Sequence, residues 1–510
     1  SLEYLTALYQ KAGARFLMIQ GVHHDNYDLW NSRYQPWNSM NIGPKRDLLR
    51  EWADACHKHG MRYGVTFHHE YTWWWWQTAF CSDKTGDKAG VPYDGAQSDS
   101  SLFTLHSSPL TAQPDSSLFT LHSSHLTAQP DSSLFTLHSS PLTAQSDSSP
   151  FTLHSSLTPD PRLLYGIDLR EYESVEEKAY TGWSPPNAGI FSRHLDYAKW
   201  FATQWALRIM DVTAHYDPDF IYTDGTVQGP FTGNGTGTGY KCNAMQAVMA
   251  DFYNRQLQTR GKVDAFSIVK FRQPTNGTVN TAEFDFPDTI NTSQAWIREM
   301  PVGDWFYAPG FTYDSGMMIR AIIESTSRDG NVCINICLRP DGSIEDEAVR
   351  MLEGVGDWMR INGEAIYGSK AWTKIGEGEM VNGRNGESHQ ARLDGRVATD
   401  DGIAHGKLKT LPGGRLGKQH AEFQFNAQDI RFTVGKNGNL YAFCMNVPEA
   451  GQTVTIHSVT TKPRRVSLLG YTGKLKWKQT ADGLAITYPK NETGLKTVAV
   501  FRIEQSPIGL

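Results

Sequence analysis

The chain has 510 residues, of which 20% are charged, and a net charge of −6. So small an acidic excess leaves no electrostatic footprint for nucleic acid or an anionic membrane, and no apolar run reaches the roughly 18 residues that span a bilayer. The length allows about two to four domains, and 15 Trp and 21 Tyr supply ring faces that stack on sugars or fill cores.

Residues Ser1-Leu2-Glu3-Tyr4-Leu5 form no signal peptide and read as the middle of a helix, with Leu5, Leu8 and Tyr9 on one face. The chain is therefore expected to be truncated at its N-terminus. A helix over about 2–13 leads into the strand Arg15–Gly21. A second helix, about 46–59, ends in Lys58-His59-Gly60, cations in the last turn and then a glycine. The strand Arg62–Phe67 follows. Later come helices near 192–215, 242–258, 315–326 and 345–360, with strands at Pro218–Asp224, near 264–269 and at Val332–Leu338. Strands alternating with helices at this spacing predict a parallel sheet closed into a (β/α)8-like TIM barrel over residues 1–95 and 161–372.

Residues 96–160 interrupt the pattern. A sixteen-residue unit starting at Leu102 recurs almost unchanged from Leu118 and Leu134, with a shortened copy from Pro150. Copies this alike, rich in Ser, Thr, Pro and Gln, read as a disordered or glycosylatable insertion and not as a solenoid. Metal binding by its four spaced histidines, His106, His122, His138 and His154, is disfavoured by the flexibility of such a tract. Over 373–510 short alternating runs between Gly-rich turns predict an antiparallel β-sandwich that seals one side of the barrel. The six cysteines carry no metal spacing, and Cys333 and Cys337 read as packed thiols. Sequons stand at Asn234, Asn276, Asn291 and Asn491.

Three strand ends carry chemistry. Asp224 closes the apolar run Phe220-Ile221-Tyr222-Thr223, His23-His24-Asp25 follows the first strand, and His68-His69-Glu70 follows the next, leading into Trp73-Trp74-Trp75-Trp76. Parallel strands deliver such residues to one barrel mouth. A carboxylate there serves as a nucleophile, or else caps the next helix or pairs with an Arg. The histidines fit a sugar site, a zinc centre completed by Asp224, or plain capping of strand ends. Adjacent histidines on a strand point to opposite sides, so each pair is expected to offer only one side chain to a common ligand.

His23-His24-Asp25-Asn26-Tyr27-Asp28-Leu29-Trp30 resembles the His-His-Asp-Gly-Phe-x-Leu-Trp segment of the α-L-fucosidases of glycoside hydrolase family 29. Trp37-Asn38-Ser39 with Gly43-Pro44-Lys45-Arg46-Asp47 is similar to their next loop, and Pro218–Gly225 to their nucleophile strand. Ile334-Asn335-Ile336, Arg339-Pro340-Asp341-Gly342 and Asn362–Gly368 match the end of their barrel. The resemblance covers most of 1–95 and 163–372.

The resemblance implies retaining hydrolysis of α-L-fucosidic bonds, with Asp224 as nucleophile and a second carboxyl as acid and then base. Glu283 falls at the matching distance before Gly303-Asp304-Trp305; Glu299 is the alternative, with Asp285 and Asp288 behind it. His23, His24 and His68 match positions that bind fucose hydroxyls. Trp37 and Tyr222 would shape the pocket, Trp73 or Trp74 would face the methyl or the aglycone, and Arg272 would steady the nucleophile. The implied partner is a fucosylated glycan, with no cofactor, in a secreted, periplasmic or lysosomal setting. The family's opening strand, with its Phe-x-His-Trp-Gly segment, has no counterpart ahead of Ser1, which leaves a catalytically impaired fucose-binding relative as the other expectation. A zinc-dependent barrel hydrolase is the third.

Overall fold

The computed structural model describes residues 1–74, 83–87, 89–90, 195–224, 244–269, 278–283, 286–302, 305–307, 314–378, 408–410, 421–423, 425–491 and 493–504. The repeat tract, Arg272 and Asp285 lie outside these residues. So do the sequons at Asn234 and Asn276.

Helix α1 (Leu2–Lys11) is capped by Ser1, whose side chain accepts from the Tyr4 N–H, and it buries Leu5, Leu8 and Tyr9. Strand β1 (Phe16–Val22) follows, then α2 (Leu48–Lys58), capped by Asp47. Next come β2 (Arg62–Phe67), a 3-10 turn (His69–Trp74), α3 (Leu195–Tyr216) and β3 (Phe220–Thr223). They are followed by α4 (Ala244–Arg260), β4 (Phe266–Val269), β5 (Thr278–Glu283) and β6 (Trp296–Pro301). Helix α5 (Ser315–Thr326), β7 (Asn331–Asn335) and α6 (Asp346–Asn362) complete the set.

Strands β1 to β7 pair in chain order, all parallel, in one curled sheet of TIM-barrel type. Its first and last strands approach across the interior, where the Cys333 thiol of β7 lies 2.9 Å from the Met18 sulfur of β1. Alternation along the strands separates two cores. Phe220, Tyr222, Ile268 and Ile297 fill the concave side, with Phe16, Met18, Phe266, Val279 and Cys333 packed on them. The convex side carries the helices over a larger apolar cluster that includes Val65, Phe67, Ile209 and Val248.

Strands β5 and β6 were not expected from the sequence. Thr278-Val279-Asn280-Thr281-Ala282-Glu283 has almost no apolar content, and Asn280 uses its side chain to bind Gln294 on the approach to β6 at 2.8 Å. In β6 every residue is buried, Arg298 and Glu299 included, so the polar letters conceal a strand of the core.

The C-terminal region is antiparallel. Strands β8 (Lys370–Glu377), β9 (Leu408–Thr410), β10 (Ala421–Phe423), β11 (Ile430–Val434) and β12 (Leu440–Cys444) come first. Strands β13 (Thr453–Ile456), β14 (Arg465–Leu468), β15 (Lys476–Thr480), β16 (Gly483–Thr487) and β17 (Ala499–Glu504) follow. The order β14-β17-β12-β11-β8 makes one sheet and β13-β16-β15 another, with β9 and β10 paired apart. Strand β8 straddles the expected boundary at residue 372. Phe432, Ala442 and Phe501 face the three-stranded sheet, whereas Tyr441, Phe443 and Val500 join the core under α5 and α6. The five-stranded sheet is thus covered on both faces, and Trp358 of α6 donates its ring N–H to the Val498 carbonyl at 3.2 Å.

Gly64 of β2 makes room for the Phe220 ring, which stacks on Phe266 at 4.8 Å; a Cβ at residue 64 would lie 2.2 Å from that ring. Gly64→Ala is expected to destabilise the barrel by about 1–3 kcal/mol through overpacking. Urea unfolding monitored by tryptophan fluorescence measures it, and an unchanged midpoint contradicts this account of the interior.

Candidate active site

Register fixes the site. Val22 pairs with Phe67 and Phe67 with Thr223, so the residues that follow, His23, His68 and Asp224, leave the sheet at one level. Each strand end is buried and the next residue is partly exposed: Val22 precedes His23, Phe67 precedes His68 and Thr223 precedes Asp224. His68 Nε2 lies 3.8 Å from Asp224 Oδ2. The His23 ring is 4.8 Å from His68 and 4.2 Å from His24, on which it stacks. The Tyr222 ring lies 5.5 Å from His68, below the mouth.

The two His pairs behave differently, and the expectation that neighbouring histidines point to opposite sides fails for the first. The chain turns off β1 at Val22, so strand alternation no longer governs His23 and His24, and both rings converge. In the second pair the alternation holds. His68 faces Asp224, while His69 turns into the core against Trp205, ring centroids 6.1 Å apart. Burial drives the His69 pKa well below its ordinary value, with the Arg208 charge acting in the same direction. Burial also lowers His23, against the opposing pull of Asp25 and Asp224. A neutral imidazole both donates and accepts hydrogen bonds, as sugar hydroxyls require.

Beside Asp224 lies Glu70, a buried carboxyl that sequence reasoning passed over. Desolvation pushes its pKa well up and the Asp224 charge adds to this, while polar contacts to Trp205 and to the Asp224 backbone offset only part. A neutral Glu70 leaves Asp224 without a second negative charge at its side.

Glu299, on β6, is buried inside the barrel, and the Tyr222 hydroxyl donates to its Oε2 at 3.1 Å. Glu283 ends β5 in register with Glu299, which puts its backbone at the mouth; its side chain lies outside the described residues. Asp288 is exposed on the β5–β6 connection. Trp73 and Trp74 lie in the 3-10 turn after β2, and their side chains are likewise not described. Trp37 is half-buried in the loop after β1, where its carbonyl accepts from the Asp28 N–H at 3.0 Å. Phe306 was missed entirely: it is 57% exposed and meets the His23 ring edge-on at 5.6 Å. The only signal for it was its place next to Trp305 in the segment that follows β6.

The β1 loop is held from beneath. Arg208 of α3 forms an ion pair with Asp28, both buried, and its guanidinium also reaches the side chain of Asn26, which sits at a positive φ of 62°. Burial pushes Asp28 up to about 6 even against Arg208. Among the described residues no group of three or more His, Cys, Asp or Glu is arranged to hold a metal ion.

With this geometry in hand, comparison with known proteins is direct. The family model described as "Alpha-L-fucosidase" matches residues 3–364, and that of the "Alpha-L-fucosidase C-terminal domain" matches residues 424–504. The chain belongs to the α-L-fucosidase family. It is a glycoside hydrolase. The tissue alpha-L-fucosidase of Homo sapiens is 21% identical over 485 residues, covering 95% of this chain and 70% of that protein. The corresponding protein of Mus musculus is 22% identical over 498 residues, covering 95% and 72%. Among solved structures, Thermotoga maritima alpha-fucosidase superposes with a TM-score of 0.56 at 17% identity, over 99% of this chain and 79% of that one. That likeness shows the fold: a TIM-type barrel with a C-terminal β domain. No helix among the described residues is long and apolar enough to cross a membrane.

Removing Arg208 from beneath this fucosidase-family site strands a buried carboxyl. Arg208→Met is expected to cost about 3–5 kcal/mol, the usual result of leaving one partner of a buried pair uncompensated. Without Arg208 nothing opposes the burial that raises the Asp28 pKa, so in the variant the carboxyl takes up its proton above pH 6, and the loss should be largest in alkaline solution and shrink as the pH falls toward 6. A urea titration at pH 5 and pH 8 checks both statements.

Proposed function

We propose that this fucosidase-family chain hydrolyses α-L-fucosidic bonds of glycans with retention, through a covalent fucosyl–Asp224 intermediate. The observation that carries the reading is the cluster at the mouth: Asp224, partly exposed at a strand end, with His68 Nε2 3.8 Å away and His23 and His24 stacked beside it.

In the first step an Asp224 oxygen bonds to the anomeric carbon while the bond from that carbon to the aglycone oxygen breaks. Glu283 gives its proton to the departing oxygen. In the second step the Glu283 carboxylate takes a proton from water, the water oxygen bonds to the anomeric carbon, and Asp224 leaves as a carboxylate. Retention needs the two carboxyl groups roughly 5–5.5 Å apart. The placement of Glu283 at the end of β5, two strands from Asp224, supports its assignment. Burial inside the barrel and the hydrogen bond from Tyr222 suit Glu299 to a supporting role.

His23, His24 and His68 would bind the sugar hydroxyls, Tyr222 would floor the pocket, and Trp37 would wall it. Phe306, and Trp73 or Trp74, would offer an apolar face to the methyl group or aglycone. Arg272 would steady Asp224. A fucose complex of the Thermotoga maritima enzyme supports a fucosylated substrate for this chain. The tissue and plasma fucosidases among its relatives support a secreted or lysosomal setting.

Asp224→Asn is expected to abolish hydrolysis of aryl fucosides, by about 10³-fold or more, with the fold intact by circular dichroism. Turnover near the parent rate would exclude it as nucleophile. Glu283→Ala should lose activity on fucosides with poor leaving groups, by about 10²–10⁴-fold, and regain part of it with added azide. If Glu299→Ala shows that behaviour instead, the acid/base assignment moves to Glu299.

A further inference from the structure

Phe306 stands at the outer edge of the candidate site. It is 57% exposed and meets the His23 ring at a centroid distance of 5.6 Å, with the two planes at 87°. A perpendicular contact uses at most one face of a ring, so a face of Phe306 stays open. A single exposed aromatic side chain is common on protein surfaces and by itself indicates nothing. Phe306 differs from that ordinary case in how it is held and in where it stands.

The chain is pinned on both sides of it. Directly before it, the Trp305 carbonyl accepts from the Asn335 side-chain amide at 3.1 Å and from the Cys337 thiol at 3.2 Å. Asn335 closes β7, and its own carbonyl accepts from the Val302 N–H at 3.0 Å, so the chain leaving β6 is tied to β7 at Val302 and again at Trp305. Directly after Phe306, the Tyr307 hydroxyl donates to the Glu345 carboxylate at 3.0 Å, and Arg339 pairs with the same carboxylate at 3.6 Å. A ring on a segment already held in this way loses little further freedom when something docks on it, so the contact keeps most of its energy.

Its place is equally telling. Asp224 Oδ2 touches His68 at 3.8 Å, the His68 ring lies 4.8 Å from His23, and Phe306 comes next beyond His23. His24 is buried, and His23, His68 and Asp224 are partly exposed, so Phe306 stands farther out than any of them. A sugar held by the three imidazoles against Asp224 fills the space between those groups. The ring outside that space meets whatever the sugar is attached to. Flat aromatic rings stack on the apolar C–H face of a pyranose, and they offer no hydrogen bond that would sort one pattern of hydroxyls from another.

We propose that Phe306 is the platform for the sugar from which fucose is removed, so that this chain favours fucose linked to a second pyranose over fucose carried on a small aglycone. The proposal rests on the reading of Asp224 and the three histidines as the fucose pocket, and it assigns the Phe306 ring to the aglycone and not to the methyl group. Phe306 is a specificity-determining residue that takes no part in proton transfer or bond breaking.

The test compares kcat/KM for fucosyl disaccharides with that for fucosyl fluoride, whose leaving group is a single atom. Phe306→Ala should lower the disaccharide-to-fluoride ratio by about tenfold, the scale of one aromatic stacking contact. Phe306→Trp keeps a flat ring and should hold the ratio within about twofold of the parent. Free fucose should inhibit both variants and the parent alike. Equal losses on the two substrates, with weaker inhibition by fucose, would put the ring against fucose itself and overturn the proposal. An unaltered ratio in Phe306→Ala would overturn it too, as would a parent chain that hydrolyses the fluoride and no disaccharide. If the parent hydrolyses neither substrate, the fucosidase reading fails and the platform with it. If the parent hydrolyses both and the ratio ignores residue 306, that reading stands and only the platform falls.

Discussion

The whole arrangement depends on register between three parallel strands. Because Val22, Phe67 and Thr223 lie side by side, the next residue of each strand emerges at one height over one apolar interior. A slip of one residue in any pair would turn an imidazole or the carboxylate toward the helices. What prevents the slip is packing below: Phe220 stacked on Phe266, with Gly64 opposite leaving space that no other residue would leave. The chemistry at the rim is therefore decided several residues deeper in the barrel.

Buried carboxyls of the barrel domain are handled in three ways. Asp28 is paired with Arg208, Glu324 is shared between two arginines, and Glu70, with no ion pair among the described residues, escapes its charge through a raised pKa. The first fixes the loop after β1, and the second joins α5 to β11. The third concerns the carboxylate that faces the mouth, since an ionised Glu70 would repel Asp224. A neutral Glu70 removes that repulsion.

Much of this was legible in the sequence for a simple reason. Strand ends announce themselves when an apolar run stops at a polar residue, as at Asp224, His23 and His68. The β5–β6 unit was illegible for the converse reason. In β6, Arg298 and Glu299 are buried because each has a partner, the Phe286 ring and the Tyr222 hydroxyl, and neither partner can be read from local pattern. Phe306 is hidden in the same way, because it lies in irregular chain after β6 and gains its place only from His23, far away in sequence. The paired histidines show the limit of periodicity in a third form. Alternation predicts the direction of His68 and His69, which continue from a regular strand, and misdirects His23 and His24, which follow the irregular pairing at the end of β1.

The C-terminal sheet illustrates how an accessory domain is drawn into a barrel. A sandwich sheet usually presents one apolar face, yet β11, β12 and β17 are buried almost throughout because Tyr441, Phe443 and Val500 also need cover from α5 and α6. Once both faces are dry, a charged residue such as Arg431 can be kept on β11 only if the barrel supplies a counter-charge, and Glu324 of α5 does so. That exchange sets the lateral position of the sheet more sharply than apolar contact could, because apolar surfaces slide at little cost whereas a buried fork allows one alignment. The junction is thus specified by charge, from Arg431 of β11, and stabilised by burial, from Tyr441 and Phe443 of β12 and Val500 of β17.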